Sequence, residues 1–236
     1  MERFPLIEDA GAAVAAMSGV ADGDCGRHGD ADARARFLAR WGAPPAPAFF
    51  ASQVHGVRIL RVDPGPGAGE LLAGEADGLM TNAPDAVLCV GVADCVPVWL
   101  FDPVTWSGAL LHAGREGSVA GICPAGVQAL QEAYGVSPGD LRAQIGPSAG
   151  PCCYEVSPEM AAEYRDRGFP VRGRHLDLWA LNTRQLVVAG VPPSHIAVSG
   201  ECTLCGDRFY SFRRNNSRER NLAVLHLGRK PDGAER

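Results

Sequence analysis

The sequence predicts a mixed α/β fold: one compact domain over residues 1–236, with mixed β-sheets flanked by helices. Three observations carry this reading. The chain has 236 residues, enough for one large core. Two continuous apolar runs of strand length, 86–92 and 96–101, read as strands covered on both faces. Between such runs, Ser157-Pro158 and Asp177 mark helix starts, and Gly190 marks a helix stop.

The elements follow in order. Residues 22–30, from Asp22 to Asp30, form a polar, Gly-rich loop, and a short helix spans 33–41. A proline-rich break at 43–47 ends a divergent N-terminal segment (1–47), and the core runs over 48–228. Strands are expected at 48–51 and 57–62, on either side of Ser52-Gln-Val-His55-Gly56. Residues 63–69 contain two prolines and three glycines and read as loop. The runs 86–92 and 96–101 are separated by Ala93-Asp94-Cys95, and a further strand at 107–112 ends in His112-Ala-Gly114. A helix is expected over 117–134, started or kinked by Pro124. Residues 145–150 read as a Gly/Pro loop, 158 onward and 178–189 as helices, and 196–199 and 221–227 as strands. Residues 229–236 read as a flexible polar tail.

Composition narrows the chemistry. Only one of the 22 basic residues, Lys230, is a lysine, and it lies in the tail, so Schiff-base chemistry and a P-loop lysine are excluded. A net charge of −5 speaks against binding nucleic acid through overall positive charge. No run reaches the roughly 18 apolar residues of a membrane helix, because Asp94 interrupts the best candidate. The N-terminus lacks a basic leader region, so a cytoplasmic protein with reduced thiols, off the membrane, is expected.

His55, Cys95 and His112 each sit in a short polar interruption at the end of an apolar strand, where side chains converge at a sheet edge. Two imidazoles and a thiolate make a zinc set that leaves a fourth position open. The same residues also fit a satisfied histidine beside a buried cysteine, or a Cys95–His112 nucleophile–base pair.

Five ordered motifs add a resemblance: Gln53-Val-His-Gly56, Ala93-Asp-Cys-Val-Pro-Val98, His112-Ala-Gly114, 145–156 with its Cys152-Cys153-Tyr154, and Cys202-Thr203 with Phe209-Tyr-Ser-Phe-Arg-Arg214. From about Phe49 to Leu227 the chain resembles the laccase-domain family, known as multicopper polyphenol oxidase, peptidoglycan editing factor and a type of purine nucleoside phosphorylase. The resemblance implies that His55, Cys95 and His112 bind Zn2+ at the strand ends. Similar proteins are described as acting on purine nucleosides and phosphate: phosphorolysis of adenosine, inosine, guanosine and methylthioadenosine, and deamination of adenosine. A copper oxidase would need many more than six histidines, and His28, His175, His195 and His226 lie in no ligand-like spacing.

With that chemistry, Asp94 is a candidate proton shuttle beside Cys95 and His112, or else a hydrogen-bonding support for the strand-end turn. Without lysine, phosphate requires arginines; Arg213 and Arg214 are the candidates, beside the 146–150 loop, with Gln53 and Tyr154 as further substrate contacts. Tyr154 and Phe209 are flat enough to stack on a base. The family's His-Ala-Gly-Trp-Arg-Gly becomes His112-Ala-Gly-Arg115-Glu116-Gly117, so Glu116 is expected to repel phosphate without compensation from Arg115. The family's N-terminal opening leaves only Cys25-Gly26 and Gly29-Asp30 as an echo. Cys202 reads as pocket or core, Cys205 as incidental, and Cys152-Cys153 as pocket lining. A monomer or small homo-oligomer is expected. Two other readings stand beside the zinc enzyme: a Cys95/His112 hydrolase editing a peptidoglycan precursor, and a weakened nucleoside-binding paralogue.

Overall fold

The computed structural model describes residues 2–11, 14–40, 47–64 and 69–230. In chain order the strands are β1 (Glu2–Arg3), β2 (Val14–Met17), β3 (Ala48–Ser52), β4 (Ile59–Arg61), β5 (Glu70–Glu75), β6 (Gly78–Thr81) and β7 (Val87–Val92). They continue with β8 (Val96–Asp102), β9 (Ser107–Ala113), β10 (Arg142–Ile145), β11 (Val171–Arg172), β12 (His175–Leu176), β13 (Ile196–Val198) and β14 (Asn221–His226). The α-helices are α1 (Pro5–Glu8), α2 (Ala31–Ala39), α3 (Arg115–Ala120), α4 (Ile122–Tyr134), α5 (Pro158–Asp166), α6 (Leu178–Val188) and α7 (Phe212–Asn215).

Two mixed sheets carry the fold. One runs β1-β2-β14-β7-β3-β5 and the other β13-β10-β8-β9-β6-β4. Side chains alternate across each strand, so a strand sandwiched on both faces has no polar side to show. In β7, Leu88, Val90 and Val92 join Trp99 and Phe101 of β8 and Leu225 of β14 in a core between the sheets. The opposite residues of β8, Val98 and Leu100, pack with Ile122, Val127 and Leu130 of α4 and Leu181 of α6. On the far side, Val87, Cys89, Val224 and Phe50 pack against Phe37 of α2. The layers are therefore helix, sheet, sheet and helices, as the continuous apolar runs imply. Fully burying one such side chain contributes about 1.5–3 kcal/mol.

The connections between sheets position the site. β3 lies in the first sheet and β4 in the second, so residues 53–58 cross from one to the other. β7 and β8 also lie in different sheets, and Ala93-Asp94-Cys95 is the crossing. Asp94 turns it with φ +83°, a strained value for a residue with a side chain.

The structure corrects several expectations. The helix expected over 117–134 is two helices, divided at Gly121, whose φ of +92° ends α3. Pro124 then falls in the first turn of α4, where its missing N–H costs nothing. The strand expected at 57–62 contracts to β4. β5 escapes an apolar-periodicity reading because its outer positions are exposed, and β6 because it is only four residues long. The helix expected at 33–41 starts two residues earlier, capped by Asp30, whose carboxylate accepts from the amides of Asp32 and Ala33. Its end at 41, the proline-rich break apart from Pro47, the centre of the 63–69 loop and the tail beyond 230 lie outside the described residues.

Candidate metal centre and adjoining cavity

The structure brings His55, Cys95 and His112 together, with their nearest donor atoms within 4.8 Å of one another. Cys95 Sγ lies 3.9 Å from His55 Nε2, and the two imidazole centroids are 4.9 Å apart at 72°. A tetrahedral zinc ion with ligands at about 2.0–2.3 Å holds its donors roughly 3.3–3.8 Å apart. The residues therefore fit an ion of that size with little adjustment. Gly114 guards this space. A Cβ on it would stand 2.9 Å from His55 Cδ2 and 3.2 Å from Cys95 Sγ.

One carboxylate organises the cluster. Asp77, 1% exposed, precedes β6. It accepts from His112 Nδ1 at 2.8 Å and from the amides of Val54, His55 and Gly56 at 3.2, 2.9 and 2.6 Å. Those three consecutive amides wrap the anion and hold His55 at φ +63°. The bond to Nδ1 leaves Nε2 of His112 as the ligand nitrogen when Nδ1 carries the proton. Burial pushes the Asp77 carboxyl up, but His112 and the Gly56 and His55 amides outweigh it and hold it below its ordinary value. Burial holds the His112 imidazole below its usual pKa, opposed by Asp77. Burial, aided by Asp94, pushes the Cys95 thiol up to about 12. Sequence reading missed Asp77. Its partners lie 21 to 35 residues away, and no local pattern links them.

The cluster opens on a cavity of about 820 Å³. Arg27, His28, Arg218, Arg220, Gln53 and Phe212 are among the residues lining its wall. The Gly-rich loop, faint as a motif, is thus part of this wall. Asp24 pins it, accepting from the amides of Gly26 (3.0 Å) and Arg220 (2.9 Å), while buried Arg34 of α2 donates to Gly26 O at 2.5 Å. The side chains of Arg27 and Arg218 make no hydrogen bond or ion pair among the described residues.

The arginines expected at the site are placed differently. Arg214 donates to the carbonyls of Thr203, Gly206 and Phe209, which ties one loop together. Arg213 donates to Glu155 O at 2.5 Å and lies 4.2 Å over the Tyr154 ring. None of these three side chains is on the cavity wall, nor is the 146–150 loop. Phe209 is buried in the core. Gln53 does line the cavity, with its amide bonded at both ends to Gly91 (2.9 and 3.0 Å).

Asp94 is 6% exposed, and both oxygens are taken, by Thr203 Oγ1 and the Arg213 amide at 2.7 Å each. Its geometry is that of a support for the turn before Cys95. Glu116 also departs from expectation. It is 66% exposed, pairs with Arg115 at 2.9 Å, and does not line the cavity. Arg115 compensates it directly. Cys152, Cys153 and Cys202, expected at the pocket, are absent from the cavity wall and gather elsewhere with Cys205, which is therefore not incidental.

Comparison with known proteins follows from this geometry. Residues 19–228 match the family described as multi-copper polyphenol oxidoreductase laccase. The match begins well before Phe49 and takes in the Gly-rich loop. A protein of Geobacillus stearothermophilus named purine nucleoside phosphorylase YlmD is 35% identical over 214 residues, covering 84% of this chain and 78% of that one. A purine nucleoside phosphorylase of Xylella fastidiosa is 34% identical over 245 residues, covering 97% and 92%. The crystal structure of YlmD from Geobacillus stearothermophilus superposes with a TM-score of 0.84 at 32% identity, covering 96% of this chain and 94% of that one.

Proposed function

Because this chain belongs to the multi-copper polyphenol oxidoreductase laccase family, and its relatives bear the name purine nucleoside phosphorylase, we propose that it is a zinc-dependent purine nucleoside enzyme. The reactions proposed are phosphorolysis of adenosine, inosine, guanosine and methylthioadenosine, and hydrolytic deamination of adenosine. The observation that carries this reading is a sulfur and two imidazoles opening onto a cavity with an arginine wall.

In this proposal His55, Cys95 and His112 hold the zinc. Bound there, zinc supplies a Lewis acid with one open position for water or substrate. Asp77 fixes the His112 ring and the His55 loop. In phosphorolysis, phosphate attacks the anomeric carbon of the ribose, and the bond to the base breaks. Arg27, Arg218 and Arg220 are the groups proposed to hold the phosphate, since guanidinium forks suit its oxygens. Phe212, half exposed at the cavity, takes the stacking role against the purine, and Gln53 is a further substrate contact on the same wall. Asp94 positions Cys95 through the crossover turn and moves no proton.

The donor set speaks for zinc over multicopper chemistry, because only two of the chain's six histidines reach it. His226 is bonded to Pro84 O and His195 to Arg142. A metal-free Cys95 hydrolase is disfavoured because the thiol, pushed up to about 12, stays protonated at neutral pH.

The test is a panel of the four nucleosides, with and without phosphate, analysed for free base and for inosine formed from adenosine. Base release that needs phosphate and disappears in Cys95→Ser and in metal-stripped protein is the expected outcome. Absence of both base release and deamination from metal-replete protein refutes the reading.

A further inference from the structure

A second sulfur cluster lies outside the cavity, on two loops far apart in sequence. Cys152 and Cys153 follow Gly150 in a tight turn, where the amides of Cys153 and Tyr154 both donate to Gly150 O. Cys202 and Cys205 belong to the Cys-Thr-Leu-Cys segment that faces them. All four sulfurs lie within 4.8 Å of one another. Cys205 Sγ is 3.4 Å from Cys152 Sγ and 3.4 Å from Cys153 Sγ.

That geometry points to a shared centre. A disulfide selects one partner and draws it to about 2.05 Å, whereas Cys205 is equidistant from two. Four sulfurs placed about 2.3 Å from one zinc ion stand roughly 3.8 Å from each other, within the observed range. The supporting polar contact is present too: the Gly150 amide donates to Cys202 Sγ at 3.3 Å, the kind of N–H to sulfur bond that orients a thiolate ligand. Thiols at 152 and 205 are exposed, so an ion can enter without unfolding the loops.

We propose that Cys152, Cys153, Cys202 and Cys205 form a structural zinc site of four thiolates, distinct from the His55/Cys95/His112 set. Four protein ligands close the coordination sphere, so this ion takes no part in turnover. It clips the Cys152-Cys153 turn to the Cys202–Cys205 segment. The first leads into Tyr154, under Arg213; the second contains Thr203, which holds Asp94 beside Cys95. The clip therefore stiffens the outer support of the crossover turn without touching the cavity. It does not depend on the proposed activity.

The test uses the full chain purified under reducing conditions without added metal. Elemental analysis is expected to find about two zinc ions per chain. The His55→Ala/His112→Ala variant is expected to keep one, and after cobalt exchange to show the strong thiolate charge-transfer absorption of a sulfur-rich tetrahedral site. The Cys152→Ser/Cys205→Ser variant is expected to lose one ion, keep the other, and melt at a lower temperature. A metal-free His55→Ala/His112→Ala protein that takes up no cobalt overturns the proposal, and the readout does not require the cysteine variant to fold. So does a disulfide within the four, seen as an intact mass short of two hydrogens and located on Cys205 by peptide mapping.

Discussion

Replacing Asp77 by Asn removes a charge with almost no change of shape, so its effect isolates what the carboxylate does. The four donors on Asp77 divide between its two oxygens: His55 N and His112 Nδ1 on Oδ1, Val54 N and Gly56 N on Oδ2. An amide has one oxygen. If that oxygen keeps His112, the new NH2 faces the amides of Val54 and Gly56, and two part-buried donors lose their acceptor. A fully buried orphan costs about 1–3 kcal/mol, so the folded state loses at most roughly 2–6 kcal/mol. If the amide flips, His112 loses the bond that fixes its ring, and metal affinity falls about 10–100-fold. Either arrangement harms one function. Urea unfolding of stripped protein measures the first loss, and competition with a chromophoric chelator measures the second. Asp77→Asn with an unchanged urea midpoint and unchanged zinc affinity refutes the assignment of Asp77 as organiser of the site.

Gly114→Ala tests the cradle directly: φ −64° suits alanine, so the damage is confined to the new Cβ against His55 and Cys95. Zinc affinity is expected to fall at least about tenfold, with a stability loss of about 1–3 kcal/mol; elemental analysis and thermal melting read both. Arg27→Ala is expected to raise the KM for phosphate with an unchanged melting temperature, whereas Arg214→Ala lowers the melting temperature because three carbonyls lose their donor. Glu116→Gln is expected to leave the phosphate KM unchanged, since Arg115 already neutralises it and it does not line the cavity; a large fall in KM refutes this. Burial holds His226 below its ordinary 6.5, so its neutral form is the folded one. Its contribution is intact above 6.5 and declines as pH falls below that value, because the unfolded chain then binds the proton first. His226→Gln, which can still donate to Pro84 O, is expected to flatten stability in that window.

The legible parts of the fold are those whose physics is local. β7, β8 and β9 announce themselves because burial on two faces forces continuous apolar sequence, and Asp177 and Ser157 because caps sit next to what they cap. β5 does not, as an edge strand with exposed residues has no such pattern. At the site, His55, Cys95 and His112 stand out by interrupting strands, and the motifs give them an order. Asp77 and the Gly-rich loop could not be read this way: their roles arise from contacts between residues far apart in the chain, as when Asp24 meets the backbone of Arg220. The arginines mislead for a related reason. Arg214 sits in the most conspicuous basic motif, yet its guanidinium is consumed by backbone carbonyls, while the cavity arginines lie in sequence with no signature.

Two of the three donor residues reside in segments that pass from one sheet to the other, and the third stands on the strand they cross to meet. All three flank strands of the second sheet: Cys95 precedes β8, His112 stands on β9, and His55 precedes β4, with β6 between the last two. The trio joins residues far apart in the chain, so an ion bound there would be captured only after these long-range pairings form, on the slow side of the folding reaction. β4 is the outer strand of that sheet, so fraying there would take His55 from the trio before the other two donors.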